Sequence, residues 1–324
     1  MDKIILRYIG GAIGVPGDGQ VFGGTMATNY AIKKAFDNSE VFDLQMKTRV
    51  DFETIEQVKE FLEGGDISWM DDTGFLERYY EAGYKRPDLV GPISRSPVKR
   101  YNGGKWKAKY LPSYFYSGRT IRLNESEEKA KTLLPEFKDE YVTKIDFIRH
   151  GIDLELMKSR KKERKYILWA GQMNRYAKNY PMWEEIQSIV NEELGGLPGP
   201  YEFKTMSGYS VDDYWDTLDE TAILVNTSHY ESFCCAVAEA RAKGAGALVK
   251  NKFNGEMVHL EQPGQTENAA LDYASKIVML CGDIHEMEKL QNDSLNYVTK
   301  NCSLNAMRED IEKVLFEIFE EKYE

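Results

Sequence analysis

The chain contains few residues of the types that build metal sites or disulfide frameworks. Its 324 residues include only four cysteines and four histidines. Two of the cysteines are adjacent and no pair has the spacing of metal ligands, which argues against both a zinc site and a disulfide framework. These cysteines are Cys234, Cys235, Cys281 and Cys302.

Long apolar runs and a positive net charge are also absent. No stretch approaches the roughly 18 apolar residues that span a bilayer, and the first residues lack the apolar core and cleavage site of a signal peptide. We therefore expect a cytoplasmic protein without a transmembrane segment. The net charge of −11 argues against indiscriminate nucleic-acid binding by the whole molecule, although a local basic face stays compatible with it.

What the sequence does contain is the composition and pattern of a two-domain α/β protein. It is 42% hydrophobic and 29% charged, typical of a folded chain, and 324 residues suffice for two domains. Short apolar runs alternate with helical patterns, which predicts βαβ units with parallel sheets. The alternation restarts after residue 150, so we place one domain at 1–150 and another at 151–305, with the basic run 158–165 as a solvated join.

The last segment, 306–324, is predicted to be an amphipathic helix. Its apolar residues recur at helical spacing and form one face for packing against a core. They are Met307, Ile311, Val314, Leu315, Ile318 and Phe319.

Two glutamates eight positions apart mark the most informative stretch, TSHYESFCCAVAEARAKGAGALVK at 227–250. Glu231 precedes a predicted helix and Glu239 lies within it. Ser232 is the predicted N-cap of this helix and Gly244 its stop. Open α/β sheets bind ligands at the carboxyl ends of their strands, and a helix N-terminus favours an anion. An anion is therefore expected beside these two acids.

A pair of carboxylates beside a phosphate requires a particular ligand. The acids can accept hydrogen bonds from hydroxyl groups on either side of a diphosphate, and a nucleotide sugar has this layout of ribose, diphosphate and sugar. The diphosphate then requires cations, which Arg175 and Lys178 offer in the stretch GQMNRYAKNYP at 171–181. Two glutamates at this spacing are by themselves more typical of a solvated surface, so the prediction depends on this context.

In the order of its segments, the chain resembles the retaining GT-B glycosyltransferases of the glycosyltransferase 4 type. The resemblance includes a Glu-x7-Glu motif at Glu231 and Glu239, followed by a small-residue helix, a glycine and a strand. The other similar stretches are FGGTMATNYAIKKAF at 22–36, TIRLNESEEKAKTLL at 120–134, DFIRHGIDLELM at 146–157 and ILWAGQMNRYAKNYP at 167–181. Phage enzymes that glycosylate DNA bases share the same fold.

The resemblance implies the GT-B fold, with two Rossmann-like α/β domains facing a central cleft and the C-terminal helix packing back towards the N-domain. The N-domain would bind the acceptor and the C-domain the nucleotide sugar. That nucleotide sugar is a co-substrate, so no cofactor is expected.

The resemblance also implies roles for the residues of the donor site. Glu239 would bind the ribose hydroxyls and Glu231 those of the donor sugar, while Lys178 would bind the diphosphate and help it to leave. Gly23 and Gly24 would let the N-domain backbone approach the donor. The remaining expected donor contacts are Ser232, Phe233, Cys234 and Gln172.

Three features depart from the family pattern. Gln172 stands where an arginine is usual, so either Arg175 takes over that charge or the second cation is missing. Cys234 replaces a glycine and could restrict the donor sugar. The N-domain histidine of the family has no obvious counterpart, and we expect His150 and His229 to be structural.

Departure of a nucleoside diphosphate requires stabilisation of its developing charge. Lys178, Arg175 and the helix N-terminus can supply this without a metal, so no metal site is predicted. We assign Asp71 or Asp72 to the acceptor side, as a hydrogen-bond acceptor or a base. The resemblance implies retention of configuration, with the leaving phosphate taking the acceptor proton. A glycosidase with two carboxylates is an alternative, which the phosphate-binding helix start disfavours.

The stretch 84–123 carries ten basic residues and one acidic residue in an otherwise acidic chain. Seven aromatic residues and a Gly-Gly turn are interleaved with them, a pattern typical of binding to phosphates and stackable bases. We therefore predict a nucleic-acid acceptor, such as DNA with hydroxymethylated pyrimidines, whose base is flipped out to react. The residues expected to contact it are Arg95, Lys99, Arg100, Lys105, Trp106 and Lys107.

Other functions stay open on the sequence alone. The basic stretch could be a solvated hairpin or could meet anionic lipid headgroups. The acceptor could then be a saccharide, a lipid-linked glycan, a protein or a small molecule. The chain could also bind nucleotide sugars without transferring them. If a phage encodes the chain, its expected location is the host cytoplasm.

Overall fold

The computed structural model describes residues 2–11, 24–71, 76, 78–79, 81–85, 87–93, 100–102, 105–107, 119–123, 144–159, 163–229, 234–249 and 268–323. Within these residues the chain forms two compact units. The first contains the described residues of 2–11 and 25–151 together with the chain from Leu304 onward. The second contains Gly24 and the described residues of Ile152–Ser303.

The first unit is built on a parallel sheet. Its described strands are β1 Ile4–Gly10, β2 Phe42–Thr48, β3 Ile67–Met70, β4 Leu89–Ile93, β5 Arg100–Asn102, β6 Lys105–Lys107, β7 Arg119–Leu123 and β8 Lys144–Ile148. Six of them pair in parallel in the order β2-β1-β3-β4-β7-β8. β5 and β6 form a separate antiparallel ribbon. Leu6, Tyr8 and Ile9 of β1 are all fully buried, as expected for a strand of a parallel sheet covered on both faces.

Helices accompany both sheets within the described residues. They are α1 Gly24–Phe36, α2 Ile55–Glu63, α3 Tyr180–Ser188, α4 Val211–Asp219, α5 Cys235–Ala242, α6 Ala269–Gly282, α7 Ile284–Asn301 and α8 Leu304–Tyr323. No helix of the described part of the chain is long and apolar enough to cross a membrane.

The C-terminal helix packs on the sheet of the first unit, which confirms the prediction. Arg149, directly after β8, donates from its backbone nitrogen, Nε and Nη2 to the carboxylate of Asp310, each at 2.8 Å. The apolar face of α8 lies in the same buried cluster as Leu6, Tyr8 and Trp69. The α8 residues in this cluster are Met307, Ile311, Val314, Leu315 and Ile318, with Phe319 partly buried against it.

The second unit is a smaller parallel sheet covered on both faces. Its strands are β9 Tyr166–Ala170, β10 Glu202–Met206, β11 Thr221–Asn226 and β12 Gly246–Val249, in the order β10-β9-β11-β12. Side chains of β9 alternate between two cores: Leu168 packs in the cluster of α5 and Ile167 in the cluster of α3 and α6. Both faces of β11 and β12 are buried, which explains their continuous apolar sequence.

The chain passes from the first unit to the second at Gly151–Ile152 and returns at Ser303–Leu304. The first crossing lies within 146–157, of which the initial part belongs to strand β8. The described residues of the basic run, 158–159 and 163–165, belong to the second unit.

Both sheets have a topological switch point. In the first sheet β1 lies between β2 and β3, and in the second β9 lies between β10 and β11, so successive crossovers leave in opposite directions. Ligands of open α/β sheets bind at such points, beyond the carboxyl ends of the strands.

Candidate functional site

The loops after β9 and β11 are joined by hydrogen bonds at the switch point of the second sheet. Trp169 donates from Nε1 to Oγ1 of Thr227 at 3.0 Å, and that hydroxyl lies 3.0 Å from the carbonyl oxygens of both Lys178 and Asn179. The backbone nitrogen of His229 donates to the carbonyl of Ala177 at 2.9 Å. The loop containing Lys178 is therefore fixed against the end of β11.

Lys178 is the last residue of a short 3-10 turn, Tyr176–Lys178, between β9 and α3. Its backbone nitrogen donates to the carbonyl of Arg175 at 2.8 Å, and Asn179 then adopts a left-handed conformation with φ of 51° before α3 begins. The Cδ atom of Lys178 lies 3.5 Å from the position of a Cβ on Gly171. The predicted diphosphate cation thus lies over the carboxyl end of the central strand β9.

Arg175 and Gln172 occupy the same loop but are exposed. The backbone nitrogen of Arg175 donates to the carbonyl of Gln172 at 3.1 Å. Arg175 thus lies in the loop of Lys178, three residues before it. The sequence analysis named Arg175 as the residue that could replace the arginine missing at Gln172.

The helix that carries the second glutamate begins later than predicted. α5 begins at Cys235 and its N-cap is Cys234, two residues after the predicted N-cap Ser232. Cys234 adopts a left-handed conformation with φ of 59°, which no helix can continue through, so the regular turn begins only after it. Its Sγ accepts a hydrogen bond from Nδ2 of Asn226 at 2.9 Å, which ties the start of α5 to the end of β11. Gly244, with φ of +81°, follows the end of α5 as predicted.

Glu239 is a buried carboxyl group inside α5. Its relative exposure is 9%, and burial raises its pKa to about 8. Among the described residues, no side chain or amide donates a hydrogen bond to this carboxyl group. Buried polar groups are ordinarily hydrogen-bonded, so the group is suited to accept hydroxyl donors from a ligand.

Tyr209 is a residue of this site that the sequence reasoning missed. Its pKa is raised to about 12, chiefly by burial and also by the Glu239 carboxylate, against the opposing effect of the Lys178 ammonium. Both predicted ligand groups therefore influence the ionisation of its hydroxyl. No motif identifies it, because its place depends on the turn at Gly208 and on packing against Tyr214.

The carboxyl ends of β1 and β3 in the first unit carry a buried polar network. Tyr8 donates from its hydroxyl to Oδ1 of Asn29 in α1 at 2.7 Å. Burial and the adjacent Asp71 carboxylate raise the pKa of Tyr8 well above its usual value. Asp71 follows β3 directly, as predicted, and Gly24 is the first residue of α1.

His150 is a neutral, buried residue of the first unit. Burial lowers its pKa to about 4. Nδ1 lies 2.9 Å from the carbonyl oxygen of Gly151, which can only accept, so Nε2 accepts from the hydroxyl of Thr28 at 2.9 Å. This histidine links α1 to the end of β8, in keeping with the expected structural role.

Several predicted site residues lie outside the described residues: Glu231, Ser232, Phe233, Gly23, Asp72, Arg95 and Lys99. Of the predicted acceptor contacts, Arg100 lies in β5 and Lys105, Trp106 and Lys107 in β6. The ribbon register pairs Arg100 with Lys107, Tyr101 with Trp106, and Asn102 with Lys105. Within the described residues, no group of histidine, cysteine and acidic side chains is placed to hold a metal ion.

Comparison of the sequence with protein-family models and with curated proteins gives no match. Solved structures do match the fold over nearly the whole chain. Sucrose-phosphate synthase from Thermosynechococcus elongatus superposes with a TM-score of 0.67 at 12% identity, covering 98% of this chain and 100% of the other. Anabaena Alr3699/HepE, in complex with UDP and glucose, gives 0.63 at 12% identity, covering 97% and 100%.

An α-glucosyltransferase in complex with UDP and a 13-mer DNA containing a HMU base gives a TM-score of 0.61 at 9% identity, covering 98% of this chain and 100% of the other. At such identities these similarities concern the fold. The chain has the α/β GT-B fold of these glycosyltransferases, with a parallel sheet in each of its two units.

Proposed function

We propose that the chain is a glycosyltransferase that moves a sugar from a nucleoside diphosphate sugar to a hydroxyl acceptor. One observation carries this proposal: the loop of the cation Lys178 is hydrogen-bonded to Thr227, and the helix of the buried carboxyl group Glu239 is hydrogen-bonded at its start to Asn226, so both elements are fixed at the end of β11. A nucleoside diphosphate requires both groups, one for its phosphates and one for its ribose hydroxyls. The fold shared with other glycosyltransferases supports the same assignment.

In this proposal Glu239 holds the ribose. Its carboxyl group is desolvated and has no hydrogen-bond donor among the described residues, so two adjacent ribose hydroxyls supply what the protein does not. Hydrogen bonds from hydroxyls favour the ionised carboxylate. Nucleotide binding should therefore lower the pKa of Glu239 from its raised value of about 8 and favour the ionised carboxylate.

Lys178 stabilises the leaving group. As the bond from the anomeric carbon to the diphosphate breaks, negative charge develops on the diphosphate oxygens, and a fixed ammonium lowers the energy of that state. Arg175, in the same loop, adds a second positive charge. The acceptor hydroxyl forms the new bond to the anomeric carbon and gives its proton to a departing phosphate oxygen, with retention of configuration. Glu231 holds the hydroxyls of the transferred sugar.

The proposed acceptor is DNA that carries a hydroxymethylated base. Three of the six residues of the β5–β6 ribbon are basic, namely Arg100, Lys105 and Lys107. A two-stranded ribbon of this width fits the major groove of DNA, and basic residues neutralise phosphates. The DNA-bound α-glucosyltransferase of the same fold supports this acceptor class.

Transfer to DNA is tested with single nucleotide sugars, each offered with hydroxymethylated or unmodified DNA. After digestion of the DNA, the masses of its nucleosides are measured by mass spectrometry, and free nucleoside diphosphate is assayed in parallel. We expect the mass of one nucleoside to increase by that of a hexose or a pentose, and only in hydroxymethylated DNA. The variant Lys178→Met serves as the inactive control.

Other outcomes separate the alternatives. Release of nucleoside diphosphate without any gain in the mass of the DNA nucleosides would support a glycosyltransferase but exclude the DNA acceptor. Saccharide and lipid-linked acceptors would then be tested. Binding of nucleotide without release of diphosphate in any mixture identifies a non-catalytic binding module. A chain that binds no nucleotide at all overturns the proposal.

A further inference from the structure

The turn after β10 directs Tyr209 towards the end of the sheet. β10 is joined to β9 up to its last residue, since Gly171 donates from its nitrogen to the carbonyl of Met206 at 3.0 Å. Gly208 then adopts a left-handed conformation with φ of +67°, which glycine reaches at little cost. Tyr209 follows directly and packs, partly buried, against the cluster that contains Leu168 and Leu224.

The ring of Tyr209 is held by its neighbours. It stacks on Tyr214 with a centroid separation of 5.0 Å and an interplanar angle of 25°. Tyr214 is 4% exposed and donates from its hydroxyl to the carbonyl of Ala236 in α5 at 3.0 Å. Ala236 lies three residues before Glu239. Tyr209 is therefore fixed relative to the helix that carries the buried carboxyl group.

Tyr209 lies close to the elements that carry Glu239 and Lys178. The helix of Glu239 is tied to it through Tyr214, and the side chain of Lys178 lies beside Gly171, whose nitrogen is bonded to Met206 at the end of β10. The charges of Glu239 and Lys178 accordingly both influence the ionisation of its hydroxyl. Because its pKa lies near 12, the hydroxyl stays protonated in the working range of pH. A neutral phenol can donate one hydrogen bond and accept others. It is thus suited to contact oxygens of a ligand whose ribose lies on Glu239 and whose phosphate lies on Lys178.

We propose that Tyr209 positions the bound nucleoside diphosphate by donating a hydrogen bond to an oxygen between its ribose and its phosphates. This inference rests on the proposed function, because it takes Glu239 and Lys178 as ligands of that nucleotide. The residue acts in binding and not in the chemical step. It sets the distance between the ribose end and the phosphate end of the ligand.

The test is the variant Tyr209→Phe, which keeps the stacked ring and removes only the hydroxyl. Loss of one such hydrogen bond should weaken binding roughly five- to tenfold. Because the contact exists equally in the bound state and the transition state, KM for the donor should rise by the same factor while kcat changes less than twofold. Binding of UDP, ADP and GDP is measured by calorimetry, and the melting temperature without nucleotide reports on folding.

Tyr201→Phe is the matched control. Tyr201 precedes β10 at the opposite, amino end of the same strand, and it is partly buried in the other core. The expected result is weaker nucleotide binding for Tyr209→Phe alone, with its melting temperature unchanged. Equal affinities of Tyr209→Phe and the wild-type chain, equal losses in both variants, or a fall in kcat at constant KM would each overturn the inference and leave the proposed function intact. A wild-type chain that binds none of the three diphosphates overturns both.

Discussion

The two ends of the second sheet differ in whether their buried ionisable side chains are paired within the protein. At the amino end, Asp219 precedes β11 and Lys243 precedes β12, and their charged atoms lie 3.2 and 3.3 Å apart with side-chain exposures of 0% and 5%. Arg164, before β9, donates to the carbonyl of Lys243 at 2.7 Å. At the carboxyl end, Glu239 is buried without a hydrogen-bond donor among the described residues. Lys243 and Glu239 are one helical turn apart, joined by a backbone hydrogen bond of 2.9 Å.

The contrast between the paired Lys243 and the carboxyl group of Glu239 suggests that residues one turn apart on α5 serve different purposes, one stability and the other ligand binding. A buried ion pair with its hydrogen bonds made inside the protein requires no ligand. A buried carboxyl group without donors is unfavourable for folding and becomes satisfied only when a ligand supplies them. We infer that the amino end holds the second unit together and that the carboxyl end is kept available for the nucleotide.

Breaking the amino-end pair should have the largest effect, and on stability. In Lys243→Met the carboxylate of Asp219 stays buried and loses its ammonium partner, which typically costs about 3–5 kcal/mol. Denaturant unfolding monitored by circular dichroism measures this cost. A loss below about 1 kcal/mol would show that this ion pair is not needed for stability and would weaken the contrast between the two ends.

The same substitution at the other end should leave stability nearly unchanged and remove activity. Lys178→Met should lower kcat/KM for transfer by about a hundred- to a thousandfold, the usual effect of removing one group that stabilises developing charge. Its free energy of unfolding should stay within about 0.5 kcal/mol of the wild-type value. The paired comparison with Lys243→Met uses one chemical change, so a large loss of stability in Lys178→Met would contradict the assignment of this end to binding.

Much of the fold could be predicted from the sequence because it depends on local patterns. Apolar runs placed β1, β9 and β11 within one or two residues, and the spacing of Met307 and Ile311 predicted the face by which α8 packs. The start of α5 was predicted wrongly, since the left-handed conformation of Cys234 has no signal in its residue type.

The site could be predicted only in part, for a similar reason. Lys178 and Glu239 each lie in a stretch that resembles a family motif, whereas Tyr209 comes near them through the turn at Gly208 and the stacking on Tyr214. The pairing of Asp219 with Lys243 likewise joins residues 24 positions apart on different elements. Such contacts depend on tertiary packing, which a single sequence does not specify.

Replacing the buried carboxyl group should weaken nucleotide binding by about tenfold without destabilising the protein. In Glu239→Gln the side chain keeps its shape but accepts weaker hydrogen bonds from ribose than a carboxylate does.

Since burial raises the pKa of Glu239 to about 8, the folded state binds more protons than the unfolded state above pH 4.5, and stability falls as pH rises towards 8. The glutamine variant lacks that decline. The free energy of unfolding of the wild-type chain and of Glu239→Gln, measured at pH 6 and pH 8.5, checks this prediction. A decline of equal size in both proteins would show that Glu239 does not cause the decline.

Nucleotide binding should also release protons from Glu239 at neutral pH, which is the smallest of these effects. With a pKa of about 8 the group is mostly protonated at pH 7, and ribose hydroxyls favour its ionised form. A tenfold preference for the ionised form would release about 0.4 proton per nucleotide at pH 7 and almost none at pH 9. Affinity should accordingly rise as pH increases from 6 to 8.

Calorimetry with UDP-glucose in two buffers of different ionisation enthalpy measures this release, because the diphosphate diester of that ligand has no group that titrates in the range. Glu239→Gln should bind without releasing protons, whereas Lys178→Met should bind more weakly and still release them. Proton uptake by the wild-type chain, or equal release from the glutamine variant, would place the ribose elsewhere. Either result would remove the distinction between the two ends of the sheet, because the carboxyl group of Glu239 would then be buried without serving a ligand.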